Sequence, residues 1–297
     1  MSFRAVARKD FQDAVRSRWI WVLSALFVVT FAGPALIRYT LGVGLGDAAE
    51  ATSIVVLFVQ FMKEGTAVLV PIIAIVVGYA SITRERESGT LKLLLSLPHS
   101  RADVVLGKVI GRSAVVALPI AVGFLAAGLV LIPATSGQAI GQFVAFAFLT
   151  VLLGVVFVGL AVGISAAAES DRQAMVGSVG LFVLTNVFWG TAASRIASAL
   201  QEYAGASVQQ RYLIELGFKL LNPTAAYKTL VDSLLSTQME ARQQLFGFFI
   251  FFDPAAAEAL GDELPVYFTD PFVAGLLALW FVVPVYVGMV LFERQDL

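Results

Sequence analysis

The side chains of this sequence that could carry out chemistry are few. It contains one histidine, His99, and no cysteine, so zinc motifs with paired histidines, Ser-His-Asp triads, thiol nucleophiles and disulfides are not expected. No segment matches the phosphate-binding pattern GxxxxGKS or GxxxxGKT, so this chain is not expected to bind a nucleotide by that route. We therefore predict no catalytic residue, no metal site and no bound cofactor.

The densest cluster of charge and turn residues is RERESGTLKLLLSLPHSRADVVLGK, residues 84–108. Gly89 is typical of a helix end, and Pro98 stops any helix that reaches it. Ser100 followed by Asp103 has the spacing of a capping box, so a new helix should begin there. Between these signals the sequence predicts a short amphipathic turn that presents Leu91, Leu94 and Leu95 on one side. Exposed leucines among charges favour insertion into a groove on a soluble partner, although they could instead rest in a membrane interface.

The elements that position this stretch are membrane spans. Of the 297 residues, 59% are hydrophobic and 14% are charged, whereas soluble domains carry roughly 25% charged residues. The mean hydropathy is +0.86. A spanning helix needs about 20 mostly apolar residues, and the sequence predicts spans at 19–40, 66–83, 113–134, 141–166, 173–194 and 271–292. The fold class expected is therefore an all-α integral membrane protein with one transmembrane domain, residues 1–297.

Basic residues predict the orientation, because loops on the cytoplasmic side are enriched in Lys and Arg. They cluster in the leader 1–18 and in the loop 84–112, so both termini should be cytoplasmic in a multi-pass protein of the cell membrane. The leader repeats its apolar residues at helical spacing, which predicts an amphipathic interfacial helix. The alternative is a generic basic terminus that only orients the first span, and periodicity alone does not separate the two. The segment 195–270 should be external and built of short amphipathic helices.

The predicted spans carry almost no ionisable side chains. Arg38, Lys63 and Glu64 lie at or outside the expected span ends, so the sequence offers little for ion-coupled transport. The apolar run Ile54 to Met62 beside Lys63 could be an extension of the second span or a re-entrant piece before it. The polar side chains most able to line a translocation path, or to bind a neighbouring helix instead, are Gln142, Thr185 and Asn186.

The same stretch of charge and turn residues resembles a known family. The run Glu85-Arg86-Glu87-Ser88-Gly89-Thr90-Leu91, followed by Leu94, Leu95, Pro98 and Leu106-Gly107-Lys108, is similar to the signature of ABC-2 type transporter permeases. The resemblance implies that the loop 84–112 holds a coupling helix that docks on an ATP-binding subunit. Carried over by position, that element would use Glu85, Arg86, Glu87, Gly89, Thr90, Leu91, Leu94, Leu95 and Pro98. The turn with Glu169, Asp171 and Arg172 would be a second, smaller contact.

The resemblance also implies the partners. They would be two copies of a separate ABC ATPase, which would bind the ATP and magnesium, together with a second permease copy in a homodimer and membrane lipid, without nucleic acid. Asn222 followed by Pro223 predicts a helix start, with a capping side chain and a proline at the first helical position. Together with Tyr227 they resemble a motif of the subfamily that includes the permease of the nitrous-oxide-reductase maturation system.

Two functions follow from these features. The first is the permease subunit of an ABC exporter, in which closure of the ATPases moves the coupling helix. The second is an ATP-independent membrane scaffold that anchors a soluble complex through the same loop. An intramembrane enzyme is disfavoured because the chain lacks cysteine, histidine pairs and intramembrane carboxylate pairs.

Overall fold

The computed structural model describes residues 3–16, 18–40, 48–91, 100–131, 137–247, 253–260 and 265–295. Within these ranges the secondary structure is helical and contains no strand, and six segments are long and apolar enough to cross a membrane. The predicted all-α membrane fold with six spans is confirmed. Leu94, Leu95 and Pro98 lie outside the described residues.

The main helices of the described ranges have the following bounds. In chain order they are α1 (Phe3–Val15), α2 (Arg18–Thr40), α3 (Ala48–Gly78), α4 (Thr83–Glu87), α5 (Arg101–Leu131), α6 (Gly137–Ala167), α7 (Asp171–Val183), a π-helix (Leu184–Phe188), α8 (Trp189–Ala204), α9 (Val208–Leu220), α10 (Pro223–Asp232), α11 (Gln238–Gln243), α12 (Pro254–Leu260) and α13 (Asp270–Arg294). The spans are α2, α3 with α4, α5, α6, the continuous segment α7 to α8, and α13.

Three spans differ clearly from their predicted bounds. The third span begins at Arg101, twelve residues before the predicted start at 113. The helix α3 begins at Ala48, whereas the sequence predicted a start at residue 66. The expectation that Lys63 and Glu64 lie outside this span is therefore wrong, because both lie within the continuous helix. The fifth span runs on to Ala204, ten residues beyond the predicted end at 194, so it includes the start of the segment predicted to be external.

Helix α6 lies at the centre of the bundle and packs against α3, α5, α7, α10 and α13. Its crossing with α13 uses glycines, since a Cβ atom on Gly163 or on Gly288 would overlap the backbone of the other helix. Small residues allow such close contact between membrane helices. Helix α2 packs on α5 instead, where the rings of Phe31 and Phe124 lie 4.3 Å apart between centroids.

The spans alternate in direction and so define two ends of the bundle. We call the end that carries α1, α4 and residue 295 the proximal end. The opposite, distal end carries α9 to α12, of which α10 packs on α3, α6 and α13. Asn222 caps α10 by accepting hydrogen bonds from the backbone N–H of Thr224 and Ala225 at 2.8 and 3.2 Å, with Pro223 at the first helical position. The helix start predicted from Asn222 and Pro223 is thus confirmed.

Candidate functional site

A reversal of the chain at the proximal end carries most of the candidate residues. We call residues 79–91 the α4 turn. It is attached to α6 through Ser165, whose hydroxyl accepts hydrogen bonds from the backbone N–H of Ile82 at 3.1 Å and of Thr83 at 3.3 Å. After α4 the chain reverses at Gly89, which has a left-handed φ of +74°. Glycine adopts this conformation without the steric penalty that a Cβ atom brings.

Glu85 joins the α4 turn to a buried ionic network. Its carboxylate accepts a hydrogen bond from Lys108 Nζ at 2.6 Å, and the same ammonium lies 3.1 Å from Asp10 Oδ1 on α1. Arg112 Nε lies 2.8 Å from the other oxygen of Asp10. The side chains of Lys108 and Asp10 are only 6% and 5% exposed, so removing one charge would leave its partner uncompensated in a poorly solvated site.

The predicted leader helix forms one wall of this network. Helix α1 packs along the first turns of α5, where a Cβ atom on Gly107 would lie 2.6 Å from Val6 Cβ. The backbone N–H of Phe3 donates to Asp103 Oδ1 at 3.2 Å. Asp103 also forms the capping box predicted with Ser100, with bonds of 3.2 Å and 3.0 Å in the two directions.

Arg86 connects the α4 turn to two other spans. One guanidinium nitrogen donates to the Ala168 carbonyl at 2.6 Å, where α6 ends, and the other donates to Gln295 Oε1. Gln295 in turn donates to the Ala167 carbonyl at 2.8 Å. Arg101 of α5 donates to the carbonyls of Phe292 and Gln295 at 2.6 and 2.7 Å, which satisfies acceptors at the end of α13. Hydrogen bonds donated by Arg86 and Arg101 therefore join the ends of α4, α5, α6 and α13.

Glu87 and Arg84 link the α4 turn to the turn between α6 and α7. Glu87 Oε1 accepts from the backbone N–H of Asp171 at 2.9 Å, so the carboxylate lies at the start of α7, where the helix dipole favours negative charge. Arg84 Nε lies 3.7 Å from Asp171 Oδ2. Ser170 caps the same helix by accepting from the Gln173 N–H at 3.3 Å. Two regions 84 residues apart in sequence thus form one surface.

Some of the candidate residues are exposed to solvent and others are not. Glu87, Gly89, Thr90, Glu169 and Arg172 are exposed at the proximal surface. The Thr90 hydroxyl bonds back to the Glu85 carbonyl at 3.3 Å, so it also stabilises the turn.

Leu91 behaves differently from its prediction. The sequence predicted that it would be presented on an exposed side, but it is 1% exposed and belongs to the main apolar core. The prediction of exposure is wrong for Leu91 because its side chain anchors the end of the turn in the bundle. Its assignment to the coupling element remains a prediction.

The three polar residues predicted for a path bind other parts of the protein. Gln142 donates to the Leu234 carbonyl at 2.7 Å at the distal end. Thr185 and Asn186 lie in the π-helix, bond to each other at 3.2 Å and bond to carbonyls of the preceding turn. The Thr185 carbonyl accepts from the Asn222 amide. Gln142 therefore shares no hydrogen-bond partner with the other two within the described residues, and their role in a path remains a prediction.

Sequence reasoning missed a polar cluster that joins α3 to α10. Lys63 Nζ lies 2.5 Å from Asp232 Oδ1, and both side chains are buried. The Tyr227 hydroxyl is within hydrogen-bonding distance of the hydroxyls of Thr66, at 2.8 Å, and Thr150, at 3.0 Å. Burial raises the pKa of Asp232, an effect that Lys63 opposes but does not cancel. The one feature of the sequence that indicated packing of this helix on the spans was the helical spacing of the apolar residues of α10.

The fold and this surface define a multi-pass helical membrane protein whose proximal turns are held together by ion pairs and hydrogen bonds. A family model described as "ABC-2 family transporter protein" matches residues 4–297. The chain is 29% identical over 299 residues to the "Probable ABC transporter permease protein NosY" of Pseudomonas aeruginosa, with 98% of each chain covered. It is 32% identical over 183 residues to the protein of the same name from Stutzerimonas stutzeri. This matched region covers 60% of this chain and 64% of the relative.

The chain therefore belongs to the ABC-2 transporter family. It is the membrane subunit of an ABC transporter, a type of chain without its own nucleotide-binding domain. This confirms the family resemblance drawn from the α4 turn and its flanking residues.

Proposed function

We propose that this permease subunit works in an exporter and couples ATP hydrolysis by a separate ATPase to substrate translocation. The ATPase docks on a surface made by the α4 turn and residues 169–172. In this proposal the proximal end and both termini are cytoplasmic. Two ATPase copies, which hold the ATP and magnesium, act on a homodimer of the permease.

The observation that carries the proposal is the set of hydrogen bonds that joins the α4 turn to its neighbours. Glu87 contacts the start of α7, while Arg86 contacts the ends of α6 and α13. A force applied to the exposed tip of the turn is thereby transmitted to several spans through hydrogen bonds in which one partner is charged, and such bonds are stronger than those between neutral groups. Packed elements with fixed bonds transmit displacement because they deform little.

The exposed groups of this surface suit a protein partner. Glu87, Glu169 and Arg172 are exposed and place both signs of charge around the turn. Charged groups at the rim of an interface steer association and fix the relative orientation of the partners. The docking surface therefore contains a rigid base, formed by the buried residues of the turn, and a solvated polar rim.

Cross-linking tests the docking surface directly, since the chain has no cysteine of its own. Single variants Thr90→Cys and Arg172→Cys, labelled with a photoreactive maleimide, are expected to cross-link to the partner ABC ATPase when the two proteins are produced together. The matched control is Arg195→Cys, an exposed arginine of the same α7-to-α8 span near its distal end. Equal cross-linking at residues 172 and 195 would contradict the proposal.

The same preparation separates the transporter from a passive scaffold. A transporter subunit is expected to change the ATP hydrolysis rate of the bound ATPase, and the cross-linking yield at Thr90→Cys is expected to differ between nucleotide-free and ATP-bound states. A scaffold would give cross-links whose yield is independent of nucleotide and an ATPase rate unchanged by the permease.

A further inference from the structure

A cavity of about 780 Å³ lies at the proximal end between α1, α2, α3 and α5. Its size falls within the roughly 300–1,000 Å³ typical of small-molecule sites. One part of its wall is apolar and includes Leu23 of α2 with Ile72 and Val76 of α3. The other part is charged and includes Lys9 and Asp13 of α1 with Arg84 of the α4 turn. The cavity is therefore amphipathic.

The apolar part exists because α2 and α3 are not closely packed together. Helix α2 packs mainly on α5, and α3 mainly on α6, which leaves a gap between the first two spans. Ile72 and Val76 lie one helical turn apart on α3 and are 41% and 64% exposed. Apolar side chains exposed on membrane spans face hydrocarbon, so the gap suits an acyl chain.

The side chains that line the charged part carry a net charge of +1, since four cations (Lys9, Arg84, Lys108 and Arg112) face three carboxylates (Asp10, Asp13 and Glu85). Lys108 and Arg112 also line the cavity, but they are paired with Asp10 and Glu85. This leaves Lys9, Arg84 and Asp13. Lys9 forms no ion pair within the described ranges, and Arg84 is 70% exposed with a single contact of 3.7 Å to Asp171. Two cations against one carboxylate favour a ligand with one negative charge.

We propose that this cavity binds one anionic phospholipid from the leaflet at the proximal end. The phosphate lies between Lys9 and Arg84, and one acyl chain fills the gap along Ile72 and Val76. Basic pockets between spans commonly bind the head groups of anionic lipids. A glycerol head group with free hydroxyls, as in phosphatidylglycerol, can also donate a hydrogen bond to Asp13. Free phosphate would leave the apolar wall unfilled.

A lipid in this cavity would lie against the α4 turn. Arg84 and Glu85 both line the cavity and both belong to the turn. A bound lipid would therefore contact the base of the turn from the side opposite the bulk solvent. Lipid binding at this site is independent of the transport function and can be measured without an ATPase.

Native mass spectrometry of the purified permease, with phosphatidylglycerol, phosphatidylethanolamine or phosphatidylcholine added, tests the site. We expect wild type to retain one phosphatidylglycerol per chain in preference to the two zwitterionic lipids. Each cation near a membrane surface contributes roughly fivefold to binding of an anionic lipid. Lys9→Gln with Arg84→Gln should therefore lower its retention by about 25-fold, and an excess of inorganic phosphate should not displace it.

Two matched controls separate the cavity from general surface effects. Arg4→Gln with Arg8→Gln also removes two exposed cations, both from α1 but outside the cavity lining, and should leave retention unchanged. Val76→Trp should abolish retention by filling the gap, whereas Val29→Trp, at an exposed position of α2 outside the lining, should not.

Three results would overturn the proposal. Equal loss in the two double variants would mean that the lipid binds to diffuse charge, and equal retention of all three lipids would mean that the head group is not recognised. The third concerns a second copy of the chain as the occupant. Val76→Cys that forms disulfide-linked dimers in membranes, while Val29→Cys does not, would show that another permease covers the gap.

Discussion

Replacing Lys63 with methionine is expected to lower the free energy of unfolding by about 3–5 kcal/mol. Methionine retains most of the apolar stem but removes the ammonium that lies 2.5 Å from Asp232 Oδ1. The two side chains are 5% and 2% exposed, so water cannot replace the missing partner. The substitution leaves a buried carboxylate without its closest counter-ion, and this accounts for the large effect.

The size of the effect should depend on pH. Burial raises the folded-state pKa of Asp232 above its ordinary value, and Lys63 lowers it. A raised folded pKa stabilises the protein below the unfolded pKa, and this contribution is lost as the pH rises through the folded value. Without Lys63 the folded pKa rises further. The deficit of Lys63→Met should therefore be smallest near about pH 4, close to the ordinary pKa of an aspartate, and grow as the pH rises above it.

The neighbouring pair between the same helices is the control. Lys228 Nζ lies 2.7 Å from Glu64 Oε2, but the side chains are 29% and 40% exposed, so Lys228→Met should cost less than about 1 kcal/mol. The double variant Lys63→Met with Asp232→Asn should regain most of the loss, because no buried charge remains. Unfolding is measured by denaturant titration in detergent micelles, followed by far-ultraviolet circular dichroism.

Two outcomes would be inconsistent with a buried, coupled ion pair. One is an equal loss of stability in Lys63→Met and Lys228→Met, which would mean that burial of the pair has no energetic consequence. The other is a double variant whose loss of stability equals the sum of the losses measured for Lys63→Met alone and Asp232→Asn alone. Coupled residues must deviate from such additivity.

Two further substitutions test the packing. Gly107→Ala should lower stability by about 1–3 kcal/mol, since its Cβ would lie 2.6 Å from a valine Cβ of α1. The control Gly33→Ala, with open space around it, should be neutral or stabilising. Thermal unfolding in detergent compares the two variants, and equal effects would contradict the close contact. Tyr227→Phe should cost about 1 kcal/mol, because Thr66 and Thr150 keep bonds to their own helix carbonyls; denaturant titration measures it, and a loss above about 3 kcal/mol would mean that the hydroxyl network is more strongly coupled.

The sequence was sufficient to predict the six spans, because an apolar run of about 20 residues matches the thickness of the hydrocarbon core. It also predicted the helix starts at Ser100 and Asn222, where the capping signals are local. Its error at Lys63 was to treat a charge as the boundary of a span. The compensating carboxylate, Asp232, is 169 residues away in sequence, and no local pattern reveals such a pair.

The candidate surface was predictable to a similar extent. The family resemblance selected the α4 turn and the turn at 169–172, and the structure shows that they touch. The burial of Leu91 was not predictable, because an amphipathic turn has one apolar side whether that side meets a partner, lipid or its own core. The contacts of Arg86 with Ala168 and Gln295 depend on how the ends of separate spans come together.

The proposed function depends above all on docking of a separate ATPase at the α4 turn and residues 169–172. Docking is measured by copurification of that ATPase with the permease in mild detergent, comparing wild type with the double variant Glu87→Ala and Arg172→Ala and with the control Arg195→Ala. We expect the ATPase to elute with wild type and with the control. The double variant should bind it at least about tenfold more weakly, a difference of about 1.4 kcal/mol. Equal recovery with all three proteins would mean that the ATPase docks elsewhere or not at all.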